Sequence, residues 1–154
     1  MVKKSVIQKA GYLDEDFFLY AEEAEWCARI RRYGKLAIFG QFNVIHLQGE
    51  SSGAAFSSPA KGYSNVYDKK GLQIMLSNFV RIRKQNGVGW FLFHLIIYTI
   101  DIPFVILLHF LRGVVTFKLI DWLKLAAGYT KNVFRLWGFA GHIIANRPYF
   151  YKVL

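Results

Sequence analysis

The chain has 154 residues, enough for one domain with a modest core and too few for two. Over half of the residues are apolar, 18% are aromatic, and the formal charge is +10, which excludes a disordered polar tail. Cys27 is the single cysteine, so no internal disulfide can form, and a reducing, cytosolic setting fits.

The charge is unevenly divided. Up to Phe56, seven Lys/Arg balance seven Asp/Glu, whereas Ser57 to Leu154 holds 13 basic residues against Asp68, Asp101 and Asp121. A basic segment rich in Trp, Phe, Leu and Ile suits an anionic membrane surface, where cations meet head groups and apolar side chains enter the acyl boundary. A nucleic-acid partner is not expected; such a binder would show a steep salt dependence. The start, MVKKSVIQKAGYLDE, is basic but has no apolar run before Gly11, so it does not read as a secretory signal.

The first strong helical spacing runs from Glu22 to Tyr33, with Glu22, Glu23, Trp26, Cys27, Ile30 and Tyr33 on one side. Glu25, Arg29 and Arg32 fall on the opposite, solvent side, where Glu25 can pair with Arg29 at i+4. Acids in the first turn, bases in the last and Gly34 beyond complete the helix signature. Two inward carboxylates, Glu22 and Glu23, are costly unless they line a wet cleft or meet a cation. Acidic stabilisation of the helix N-terminus is the plainer reading of the same pair.

Leu36–Phe39 and Asn43–Leu47 are short β-prone runs separated by Gly40 and Gln41, and the small-residue stretch GESSGAAFSSPAKG follows as a loop. Ser64 to Gln85 predicts an amphipathic helix ending in Arg81, Arg83 and Lys84 before Gly87. Val88 to Leu111 is nearly continuous hydrocarbon, long enough to cross a bilayer. Asp101 inside it would cost on the order of 3 kcal/mol at mid-depth. Asp101-x-Pro103 is also a good helix start, so two helices meeting at Asp101 compete with one span, and a hairpin or in-plane arrangement is favoured. The last segment intersperses Lys118, Lys124, Lys131 and Arg135 among Trp, Phe and Leu, an interfacial pattern that a soluble helical subdomain would also show.

The stretch GYLDEDFFLYAEEAEWCARIRRYGKLAIFGQFNVIHLQGESS resembles the acceptor-side half of family 2 glycosyltransferases. Those enzymes run Gly-x-(Phe/Leu)-Asp-Glu-x-Phe-Phe-x-Tyr, then a paired acid, an Arg-containing helix, a Gly, a strand and a His-x-x-Gly-x-Ser ending. The resemblance covers about Lys4 to Ser52. It implies an α/β fold: the C-terminal half of a GT-A (Rossmann-like) domain in residues 1–56, a lid loop and connecting amphipathic helix in 57–87, and a largely helical, membrane-associated tail in 88–154. It further implies that a donor-binding half is absent and that the chain is inactive without it, Met1 being either an internal methionine of a longer frame or the start of a relic or split enzyme.

By the same resemblance Glu23 matches the catalytic base, with Glu22 beside it. The family's usual Glu-Asp is Glu-Glu here, which keeps both as candidates. An inverting transfer needs such a carboxylate to take the proton from an acceptor hydroxyl as a nucleotide diphosphate leaves the anomeric carbon. His46 matches a position that helps hold a divalent metal (Mn or Mg) or the diphosphate, while Asp14 and Trp26 match the acceptor pocket. Read alone, His46 is structural, Trp26 packs in a core and Asp14 caps a turn. Asp14-Glu15-Asp16 spells Asp-x-Asp, but the family's metal motif lies upstream of this segment.

The implied partners are a nucleotide-sugar donor, a saccharide or lipid-linked acceptor, and the cytoplasmic face of a bacterial inner membrane. The loop from Gly49 to Gly62 reads as a lid over the donor. A second reading is a small basic membrane-binding protein without catalysis.

Overall fold

Apolar residues at helical spacing organise the chain from Leu72 onward. The computed structural model describes residues 2–41, 56, 58 and 65–153, and among these it contains five helices. They are α1 (Lys4–Ala10), α2 (Glu22–Ile30), α3 (Lys69–Asn86), α4 (Val88–Val115) and α5 (Leu119–Ala145).

Helix α3 is the centre of the core. Asp68 caps it, its Oδ1 accepting from the Gly71 N–H at 2.9 Å, and its side chain also receives hydrogen bonds from Asn65 and Ser58. Burial would raise the Asp68 pKa, but these donors outweigh it and hold the carboxyl below its ordinary value. Leu72, Met75, Leu76, Phe79 and Val80 are buried against Phe91 and Leu95 of α4 and against Tyr129, Val133, Leu136 and Ile143 of α5. Gly87, at φ +89°, ends α3 and starts α4. This left-handed backbone suits glycine, and α4 folds back so that Phe79 meets both Phe91 and Tyr98 edge-on.

Helix α4 is continuous through Pro103, so the expected break at Asp101 is corrected: Asp101 is not a cap. A proline inside a helix costs about 3 kcal/mol, but breaking a largely exposed apolar helix in its middle would strand several backbone groups. Helix α5 splints the site. Tyr129 Oη lies 3.2 Å from both the Tyr98 carbonyl and Asp101 Oδ2, and Trp137 Nε1 donates to Thr99 Oγ1 at 2.9 Å. Gly113 permits the tight turn into α5, since a methyl there would come within 2.8 Å of Leu119 Cα. At the base of this hairpin Arg83 Nη2 donates to the Ile144 carbonyl at 3.1 Å.

The C-terminal segment returns to the N-terminal one. The Tyr151 N–H donates to the Asp16 carbonyl, and the Tyr149 N–H donates to Asp16 Oδ1, each at 3.0 Å. Phe17 and Tyr151 form an isolated parallel bridge.

The expected α/β, GT-A (Rossmann-like) fold is overturned: among the described residues there is no strand and no sheet. Leu36–Phe39 is irregular, with Ile38 fully exposed. Strand propensity is a preference that context overrides, and this run forms no strand. Asn43–Leu47 and most of the expected lid lie outside them.

Gly128 is where α5 touches the chain entering α3: a methyl there would stand 2.1 Å from the Tyr67 carbonyl oxygen. Gly128→Ala is expected to destabilise by about 1–3 kcal/mol through overpacking, despite alanine's better helix propensity. Gly141→Ala, in open space on the same helix, is expected to hold or raise the Tm. Thermal unfolding in detergent distinguishes the two.

Candidate functional site

The expected site residues sit on α2 and the loop before it. Two consecutive non-glycine residues, Tyr20 (φ 71°) and Ala21 (φ 65°), are left-handed and lead directly into Glu22. Such residues cost on the order of 1 kcal/mol or more each and persist only where the surroundings fix them. Here the Leu19 carbonyl accepts from Ser77 Oγ at 2.7 Å, which pins the entry of α2 onto α3. Ala21 stands at the N-cap with no side-chain bond.

Glu22 and Glu23 begin a helix whose first turn holds three glutamates, Glu22, Glu23 and Glu25. Glu23 is exposed, whereas Glu22 is half-buried and its Oε2 has no hydrogen-bond partner. Desolvation raises the Glu22 pKa above its ordinary value; its own backbone N–H opposes the shift and the Glu23 charge adds to it. The pair thus consists of one solvent-open carboxylate and one that holds its proton more tightly.

Glu25 differs from the expectation. It is buried, not on a solvent face, and Arg29 Nε contacts its two oxygens at 2.8 and 2.9 Å. Arg29 then reaches out of α2, donating to the carbonyls of Ala10 and Tyr12. A carboxylate can be buried there because the guanidinium neutralises it and spends its remaining donors on α1's C-terminal end. The i+4 pairing was legible in the sequence; its inward direction depends on α1.

Trp26 Nε1 donates to the Gly11 carbonyl at 2.8 Å, fastening α2 to the same end of α1. Asp14 Oδ1 accepts from the Asp16 N–H at 3.0 Å and its Oδ2 binds Lys84, while Asp16 Oδ2 lies 2.7 Å from the same Lys84 Nζ. Burial disfavours the Lys84 charge, yet the two aspartates more than compensate and its pKa lies above the ordinary 10.5. Sequence reasoning did not single out Lys84 as their partner; an Asp-x-Asp on a turn demands a cation, and a lysine ending a buried helix is a natural source.

The described residues do not fit a divalent metal. Among them no group of three His, Cys, Asp or Glu converges, and Asp14 and Asp16 are closed on Lys84. His46 lies outside the described residues. A cleft of about 300 Å³ lies at the far end of α2, between Val6, Ile30 and Tyr33, and one of about 340 Å³ beside Trp90 and Phe93; neither contains Glu22 or Glu23.

Helix α4 adds the second functional feature. It is long and apolar enough to cross a membrane, and only 11% of its most apolar window is buried, which a soluble core helix would not show.

No family model and no solved structure matches the chain. Over 32 residues, 21% of the chain, it is 53% identical to the low-salt glycan biosynthesis hexosyltransferase Agl10 of Haloferax volcanii. One segment of the chain is similar to a hexosyltransferase. That segment spans 10% of the relative's length, so the similarity reaches the class of glycosyltransferases and stops there.

Lys84→Met leaves two adjacent carboxylates without their cation. It is expected to destabilise by on the order of 2–3 kcal/mol, less than for a fully buried pair because all three side chains still meet some water. Since the folded-state pKa of Lys84 is raised, its stabilisation is complete below 10.5 and lost as the pH rises through the higher folded value. Chemical unfolding above that pH is expected to show the loss in the parent and not in Lys84→Met.

Glu22 carries the opposite lesson. A carboxyl whose folded pKa is raised stabilises the fold fully below 4.5 and loses that contribution as the pH climbs through the folded value. Glu22→Gln is therefore expected to be more stable than the parent at neutral pH and to lack the decline above pH 4.5, as followed by unfolding midpoints across pH.

Proposed function

We propose that this chain is part of a glycosyltransferase that moves a hexosyl group from a nucleotide-sugar donor to a saccharide or lipid-linked acceptor in cell-surface polysaccharide synthesis, at the cytoplasmic face of a membrane. The observation that carries the reading is the 53% identity over 32 residues with a hexosyltransferase. The acidic pair at the start of α2 and the exposed apolar helix α4 support it.

In this reading Glu23 is the base. Its exposed carboxylate accepts the acceptor hydroxyl's proton as that oxygen bonds to the anomeric carbon. The bond from that carbon to the diphosphate breaks, and the diphosphate leaves with the electron pair. Glu22, less acidic and a neighbour in sequence, keeps a second carboxyl at the helix entry that the left-handed Tyr20 and Ala21 hold in place. Trp26 and Asp14 contribute through position, by tying α2 and its leading loop to α1 and α3. The donor site, a divalent metal and the part of His46 belong to the proposal through residues outside those described and through a donor-binding segment supplied from elsewhere.

The test is to join a hexosyltransferase donor-binding segment to the chain, in frame or in trans, and to follow sugar transfer. Glu23→Gln is expected to lower the rate at least about a hundredfold, the usual weight of a general base. A rate within a fewfold of the parent refutes the base assignment, and a parent without transfer refutes the glycosyltransferase reading.

The second reading, a small basic membrane-binding protein without catalysis, is favoured by one observation: nearly all of the buried core comes from α3, α4 and α5, with Phe17 and Tyr151 joining it from the flanking segments. It predicts full membrane binding and no transfer by the assembled enzyme.

A further inference from the structure

Helices α4 and α5 run antiparallel, with His109 against Trp122, Asp101 against Tyr129 and Thr99 against Trp137. Asp101 stands at the middle of α4, and Lys131 and Arg135 flank the middle of α5; all three are exposed. If α4 crossed a bilayer with α5 beside it, these charges would sit together at mid-depth in hydrocarbon, each at the cost that makes one such residue rare.

The sorting of side chains around α5 answers the difficulty. At 100° per residue, the buried Ala126, Tyr129, Val133, Leu136 and Ile143 form one stripe toward the core. Lys124, Lys131, Arg135 and His142 form a second, exposed stripe about two fifths of a turn away. Leu123, Phe134, Trp137 and Ile144 form a third, also exposed. Through the Trp137 bond to Thr99 the third stripe borders α4. The outer side of α4 is itself apolar and open, carrying Phe93, Ile100, Phe104, Leu107 and Leu111. Asp101 lies about a quarter turn from the centre of that side, tied to Tyr129.

We propose that the α4–α5 hairpin lies in the plane of an anionic membrane leaflet. The open side of α4 enters the acyl region, and Lys124, Lys131 and Arg135 sit at the level of the lipid phosphates. The lipid is an anionic bilayer surface, chosen by charge: the stripe is wholly basic, and Asp121, paired weakly to Lys124 at 4.0 Å, is the nearest acid on α5. The proposal holds whether or not the chain takes part in glycosyl transfer.

Two measurements on the full chain test it. In a Cys27→Ser background, Asn86→Cys and Thr116→Cys mark the two ends of α4. The chains are added to the outside of sealed phosphatidylcholine vesicles containing phosphatidylglycerol, and an impermeant maleimide is applied before and after lysis. Both ends are expected to label equally before lysis; protection of one end until lysis means that α4 crosses, and overturns the proposal. In the second measurement Lys124→Glu/Lys131→Glu/Arg135→Glu is compared with the parent by vesicle flotation, with helicity checked by circular dichroism. At roughly a factor of five per basic residue, the affinity is expected to fall at least about a hundredfold on anionic vesicles and to stay within about twofold on pure phosphatidylcholine. Equal binding of variant and parent to anionic vesicles overturns the proposal, as does sedimentation of the parent as a dimer that ignores vesicles.

Discussion

Gln73 is fully buried in α3, and its carboxamide is satisfied from three directions. Nε2 donates to Ser77 Oγ at 3.2 Å and to the Tyr151 carbonyl at 2.8 Å, and Oε1 accepts from the Val153 N–H at 3.0 Å. Ser77 passes the chain of bonds on to the Leu19 carbonyl. An amide buried without these partners would cost several kcal/mol, of the order of 2–7 by transfer measures. The network therefore fixes α3, the C-terminal segment and the approach to α2 as one unit. Tyr20, Ala21 and the acidic pair that follows inherit their positions from it.

Much of the helical architecture is legible in the sequence because it rests on local spacing. The expected helix to Gln85 begins at Lys69 instead of Ser64, and Gly87 ends it as read. The hydrocarbon run after Val88 is a helix, as its length and composition require. What fails is local rules overridden by distant partners. Asp101-x-Pro103 has the chemistry of a helix start, but Tyr129 and Trp137 arrive from α5 and carry α4 through. Leu36–Phe39 has strand propensity, yet propensity alone does not make a strand.

The acidic segment shows the same division. The pairing of Glu25 with Arg29 follows from i+4 spacing, but the burial of Glu25 follows from Ala10 and Tyr12, carbonyls that no wheel of α2 includes. The inequality of Glu22 and Glu23 also emerges only in three dimensions, through desolvation of one and exposure of the other. Asp14 read as a turn residue is borne out by its bond to the Asp16 N–H, while its tie to Lys84 joins residues 70 positions apart in the chain.

The bond from Arg83 to the Ile144 carbonyl closes the neck of the α4–α5 hairpin, because it joins the last turn of α3 to the end of α5. It is one of several ties: in the middle of α5, Gly128 touches Tyr67 and Asn132 donates to the Val66 and Asp68 carbonyls, so the hairpin is held at its neck and along its length. Because Lys84 is the next residue, the last turn of α3 holds the end of α5 with one side chain and, with its neighbour, the two aspartates of the loop that leads toward Glu22.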